Sequence, residues 1–245
     1  MPASRWHWNQ GVTGLKQVFG TLGSLATTRA QIVGEIMFIY SAALQIKPGR
    51  GGEAASVVAA LRDEVEAATG LAASAWTAVS GAPIGSFYLS ASLEGTTELL
   101  AMLQNLNGST TYQALAPKIG ELLHGPAETN LVEVVAATAE LAEPKPFVSV
   151  TRATIQNGNL GAGIAWSGQI LEYITRTTGV GGMLGTAAAG SFFDVAWMIG
   201  NDDGAQIDEL NAKLNSDPTY LSMVDQGGDF FVPGTGHRML LARMQ

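Results

Sequence analysis

Few residues in this 245-residue chain have the types and spacing that chemistry needs. There is no cysteine, which removes disulfides, thiolate metal sites and cysteine nucleophiles together. The three histidines, His7, His124 and His237, lack the short spacings by which ligands converge on zinc, so no metal is expected. Asn201-Asp202-Asp203-Gly204 lacks the length and terminal Glu of a calcium loop and reads as a helix start. Gly49-Arg50-Gly51-Gly52 and Gly179-Val180-Gly181-Gly182 fail the phosphate-loop and dinucleotide spacings, and no Gly-x-Ser-x-Gly elbow occurs. One polar constellation remains: Arg152, Asp194, His237 and Arg238 fall in segments that read as strands. Charges of opposite sign on adjacent strands form cross-strand pairs. They could also make a polar site for an anionic or carbonyl-bearing ligand, with Trp197 and Phe193 as an apolar wall. The competing reading is a salt bridge that fixes the packing.

The elements that must position these residues come in two copies. Gly85-Ser86-Phe87-Tyr88 recurs as Gly190-Ser191-Phe192-Phe193, Thr69-Gly70 as Thr178-Gly179, and Thr111-Tyr112 as Thr219-Tyr220, all in the same order. In the first copy 36–44 reads as a strand, followed by a helix carrying Val57, Val58, Leu61 and Val65 on one face. Residues 73–80 and 86–93 read as a hairpin, a helix opens at Thr96, a helical piece spans 112–123, and 130–136 is the last strand. The second copy repeats the order with a strand at 147–155, a helix at 160–177 and a hairpin at 182–187 and 191–198. Its second helix carries Ile207, Leu210 and Leu214, and its last strand spans 238–244. The expected domains are an arm at 1–34, units at 35–139 and 147–245, and a linker at 140–146.

A βαββαβ unit folds as a four-stranded antiparallel sheet of order 4-1-3-2 with both helices on one face, the ferredoxin-like arrangement. Two such units can pack sheet to sheet, closing a barrel with the helices outside. On element order and duplication, residues 36–244 resemble the dimeric α/β-barrel superfamily, with both halves in one chain. That superfamily includes cofactor-independent monooxygenases on polyketide-like substrates, isomerases, and fused haem proteins such as chlorite dismutase. The resemblance implies a ligand between sheet and helices or within the barrel. The haem group needs a proximal histidine in the second unit, and only His237 is there, so no cofactor is expected.

Composition points elsewhere. A charge of −8 excludes a dedicated nucleic-acid binder, which needs a basic surface. With 47% hydrophobic and 14% charged residues, part of the surface is expected to be covered by another subunit. The first 34 residues carry Arg5, Lys16 and Arg29 and no acid, and Val12, Leu15, Phe19 and Leu22 recur at helical spacing behind Trp6 and Trp8. This basic amphipathic arm is a candidate for docking on its own body, a second subunit or a protein partner. Three basic residues make a weak membrane signal. No secretory signal reads in residues 1–35 and no apolar run is long enough to span a bilayer, so a cytoplasmic chain is expected.

The first functional expectation is therefore a non-enzymatic, self-assembling scaffold whose arm docks on neighbours. The alternative is a cofactor-independent, monooxygenase-like enzyme or small-molecule binder. Its barrel cavity would lie near Tyr40, Trp76, Tyr88, Arg152, Asp194 and Trp197.

Overall fold

Alternation of apolar and small polar residues along eight segments makes eight strands, each with one face toward helices. The computed structural model describes residues 37–138 and 144–245. The arm residues Trp6, Trp8, Val12, Leu15, Phe19 and Leu22, and most of the linker, lie outside them.

The first unit runs β1 (Met37–Gln45), α1 (Gly51–Thr69), β2 (Ala73–Ser80), β3 (Ser86–Leu93), α2 (Thr96–Gly108), α3 (Thr110–Leu122) and β4 (Glu128–Ala137). The second runs β5 (Phe147–Thr154), α4 (Leu160–Thr178), β6 (Gly182–Ala189), β7 (Asp194–Asn201), α5 (Gly204–Asn215), α6 (Pro218–Gly227) and β8 (His237–Arg243). The strands form one closed antiparallel barrel, β1-β3-β2-β8-β5-β7-β6-β4. Each unit keeps the order 4-1-3-2. The units do more than face one another, because their edges join by hydrogen bonds, β2 to β8 and β4 to β6. Closure leaves no edge strand open to further pairing. Among the described residues no helix is long and apolar enough to cross a membrane.

The residues that drive this face outward from the sheets toward the helices. In the first unit Leu44, Phe87 and Ala75 pack on Val58 and Leu61 of α1 and on Ile119 and Leu122 of α3. Ala91, Leu93 and Leu131 pack on Met102 and Leu106 of α2. In the second unit Leu184, Val195, Trp197 and Ile199 meet Ile170 and Leu171 of α4 and Leu210 and Leu214 of α5. Burying each such side chain is worth about 1.5–3 kcal/mol.

Helix caps repeat with the units. The Ser109 side chain caps α3 by accepting from the Tyr112 N–H and donates to Glu64 Oε1 on α1 at 2.5 Å. In the second unit Asp217 caps α6 by accepting from the Thr219 N–H, and Tyr173 on α4 donates to its Oδ2 at 2.6 Å. Both caps thus anchor the third helix of a unit to its first.

Two sequence expectations need correction. The second hairpin strand begins at Asp194, not Ser191, because β6 runs on to Ala189 and the β6–β7 loop takes residues 190–193, one residue fewer than the β2–β3 loop (81–85). Gly190 therefore corresponds to Gly81, and both have positive φ, +107° and +74°. At Gly81 a Cβ would also strike the Arg238 carbonyl across the β2–β8 seam. The recurrence of Gly-Ser-Phe is out of register with the fold. Helix α6 is the second difference: the sequence reading leaves this stretch without a helix, although Asp217-Pro218 supplies a side-chain cap and a proline at its first turn.

Candidate functional site

Strand register decides which candidate residues can meet. Side chains alternate across a strand, so on β5 Arg152 and Thr154 point to the barrel lumen while Ala153 packs among the helix-facing residues. On β7 Asp194 and Ala196 share the lumen face, because Ala196 lies opposite Arg152 and Asp194 opposite Thr154. On β8 His237 lies opposite Arg152 and is on the lumen side. In the first unit Trp76 and Tyr88 face each other across β2 and β3, also inward.

Arg152, Asp194, His237 and Tyr88 lie toward one end of the barrel. Strands β1 and β5 end there and β3, β4, β7 and β8 begin there, since neighbours run antiparallel, with Ser80 at the end of β2 pairing with Leu240 midway along β8 and Ala189 at the end of β6 pairing with Leu131 in β4. Burial, the largest influence, pushes the Tyr88 hydroxyl above the ordinary tyrosine value. The Arg152 guanidinium and the Ser86 hydroxyl pull it back, and the Glu128 carboxylate adds to the rise. Tyr88 from one unit thus senses Arg152 from the other. Deeper in the barrel lie Trp76, Val150, Met239 and Leu241, with Ala78, Val148 and Met198 against them. Trp76 Nε1 donates to Ser90 Oγ at 3.0 Å, which satisfies its one polar group. Tyr88, Ser90 and Arg152 are half-buried although they point inward.

The opposite-charge pair expected between Arg152 and Asp194 does not form. Asp194 Oδ1 accepts from Thr154 Oγ1 at 2.6 Å, and among the described residues no ion pair within 4.0 Å involves Arg152. Arg238 is on the outer face, where it donates to Asn211 Oδ1 at 3.3 Å, and His237 is exposed at the rim.

Three aromatic candidates also lie elsewhere. Trp197 stands three residues from Asp194 and so on the opposite face. Its Nε1 donates to the Ser167 carbonyl at 3.0 Å, and its ring lies edge-on to Trp166 with centroids 6.1 Å apart. Phe193 precedes β7 and stacks edge-on with Phe192. Tyr40 faces the helices of the first unit, where burial and then Tyr112 raise its hydroxyl above the ordinary value. Sequence reasoning missed Glu128, Ser86 and Gln45, which belong to this rim. Their signal was position, each standing at the mouth end of a strand.

A haem site in the second unit does not fit these residues. Trp166, Trp197 and Phe231 pack together between its sheet and helices, and His237 is on the far face of the sheet. Among the described residues no group of three His, Asp or Glu is placed to hold a metal.

No protein-family model and no curated protein matches the chain. Solved structures do. A candidate monooxygenase from Fusobacterium nucleatum superposes with a TM-score of 0.66 at 12% identity, over 86% of this chain and 94% of that one. An anthrone oxidase-like protein gives 0.63 at 12% identity over 86% and 92%, and a candidate chlorite dismutase 0.54 at 8% over 86% and 96%. The chain has the fold of the dimeric α/β-barrel superfamily, with both ferredoxin-like units in one polypeptide.

Proposed function

We propose that the chain is a cofactor-independent, monooxygenase-like enzyme or small-molecule binder that takes its ligand in the barrel. The observation that carries this reading is that the half-buried Tyr88 and Arg152, from different units, both point into the barrel beside an apolar cluster that includes Trp76. Ligand sites are largely apolar with a few convergent polar groups, and this lumen has that composition. Fold neighbours named for monooxygenase or oxidase activity favour it over the scaffold reading, whose main motive, the arm, lies outside the described residues.

Oxygenation without a cofactor requires a substrate that reduces dioxygen itself once it has lost a proton. The site must accept that proton and hold the negative charge left behind. Arg152 can hold the charge. Glu128 and His237, exposed at the rim, can pass the proton to water. Tyr88 keeps its proton at neutral pH and can donate to a carbonyl oxygen.

The reading takes the chain as a cytoplasmic homo-oligomer. Leu100 and Leu103 on α2 and Leu221 and Val224 on α6 are exposed one turn apart and suit subunit contacts. The test is to add anthrone to the full chain and follow both tryptophan fluorescence and dioxygen uptake. Binding with uptake identifies an enzyme and binding alone a binder. No binding of anthrone or anthraquinone refutes the reading.

A further inference from the structure

We propose that Arg152 is an anion receptor inside the barrel, and that the ligand is an apolar molecule carrying a carboxylate, its charged end at Arg152 and its body toward Trp76. The inference rests on the lumen being the ligand site. It adds the chemical class and the orientation.

Four observations carry it. Arg152 is half-buried on the lumen face, and among the described residues its guanidinium makes no hydrogen bond and no ion pair. A guanidinium has five donors and loses solvation when buried, so protein arginines in such places are normally paired. The two nearby acids leave it unpaired: Asp194 accepts from Thr154, and Glu128 is exposed at the rim. On β7 the residue opposite Arg152 is the small Ala196, and on β8 it is His237. Finally, the register places Ala43 at the corresponding position of the first unit, opposite Tyr88 and Glu128 as Arg152 is opposite Ala196 and His237. The duplicated barrel therefore carries one receptor, not two, and should take one anion per chain. A planar guanidinium matches a carboxylate through two parallel N–H bonds, which an ammonium does not reproduce.

The experiment is calorimetric titration of the full chain with 2-naphthoate and with 2-naphthamide, which share shape and differ in charge. The wild type is expected to bind one naphthoate per chain at least tenfold more tightly than the amide. Arg152→Gln is expected to abolish that preference by weakening naphthoate binding at least tenfold, and Arg152→Lys to keep part of it. Arg238→Gln removes the same charge from the outer face of β8 and is expected to change neither. Equal binding of the two probes by the wild type, or a preference that survives Arg152→Gln, overturns the receptor and leaves the lumen site standing. Binding of neither probe overturns both. Circular dichroism matching the wild type ties each result to the site and not to the fold.

Discussion

If Arg152 is held for a ligand and not for packing, then removing it should stabilise the free protein. The perturbation is Arg152→Met, which keeps the length of the aliphatic stem and removes the guanidinium. In the structure the guanidinium has no acceptor among the described residues, so the substitution breaks no ion pair and no hydrogen bond. It removes the cost of partly desolvating a charge and adds apolar surface beside Val150 and Met239, which already form the floor. Replacing buried ionic groups by apolar residues of similar volume is neutral or stabilising by about 1–4 kcal/mol. Because Arg152 is only half-buried, the lower end applies, about 0.5–1.5 kcal/mol. A domain of this size gains about 2–4 °C in Tm per kcal/mol, so the expected rise is about 1–6 °C. The assay is differential scanning calorimetry of the ligand-free chain at pH 7. The opposite case is equally definite: breaking a buried pair by removing one partner costs about 3–5 kcal/mol. A fall in Tm of more than about 5 °C would show that something in the protein holds the guanidinium, and the reasoning would fail. The same variant should raise the Tyr88 hydroxyl further, because the charge that pulls it back is gone. Absorbance of tyrosinate during an alkaline titration reads that direction.

Two further outcomes follow from the duplication. Asn201 ends β7 almost wholly buried, its Oδ1 without a partner among the described residues, where register puts Leu93 in the first unit; Asn201→Leu should raise stability by about 1 kcal/mol in urea unfolding, and a loss of stability would refute the equivalence. Hydrogen bonding from Tyr173, its largest influence, holds Asp217 below the ordinary carboxylate value of 3.8. A depressed carboxylate contributes stability that is present above its unfolded value and lost as pH falls through its folded value. Tyr173→Phe should therefore bring the Asp217 titration back toward 3.8, read by carboxyl NMR, and flatten the acid loss of stability below about pH 4. An unmoved Asp217 titration would remove Tyr173 as the cause.

The fold was more legible than the site, for a physical reason. Element type follows from local periodicity, so Val58 and Leu61 announced α1, and two hairpins of alternating residues announced the four central strands. Closure follows from edges, and the sequence marks no edge. The β2–β8 and β4–β6 seams pair residues far apart in the chain, Trp76 with Arg243 and Leu131 with Ala189. They also contain register shifts, at Ala78/Ser80 on one and at Leu131/Val132 and Val134/Ala136 on the other. Those seams turn two facing sheets into one closed barrel. The grouping of candidate residues failed on parity. Trp197 and Asp194 stand three apart, and Arg238 and His237 one apart, so each pair straddles its strand. Tyr40 failed likewise, since it pairs with Ala91 and lies on the opposite face from Tyr88. Strand alternation by itself keeps Arg152, Asp194, His237, Trp76 and Tyr88 together and releases the others.

What the duplication does for function follows from the places where the two copies differ. A symmetric barrel would present the same groups twice around its axis, and any charge at the mouth would face its own copy across the lumen. Here the copies have diverged at the inward positions: Ala43 against Arg152, Tyr88 against Ala196, Glu128 against His237. Most helix-facing positions keep their apolar character, as Phe87 and Val195 or Leu44 and Ala153 show, with Leu93 against Asn201 an exception. Selection for stability acts on the helix-facing set in both units alike, since each unit must bury its own helices. Nothing in folding requires the lumen positions to differ between the copies. Fusing two units into one chain is what permits that difference, because a homodimer must repeat every residue. On the function proposed above, the asymmetry marks the part of the barrel that a ligand, and not the fold, has shaped.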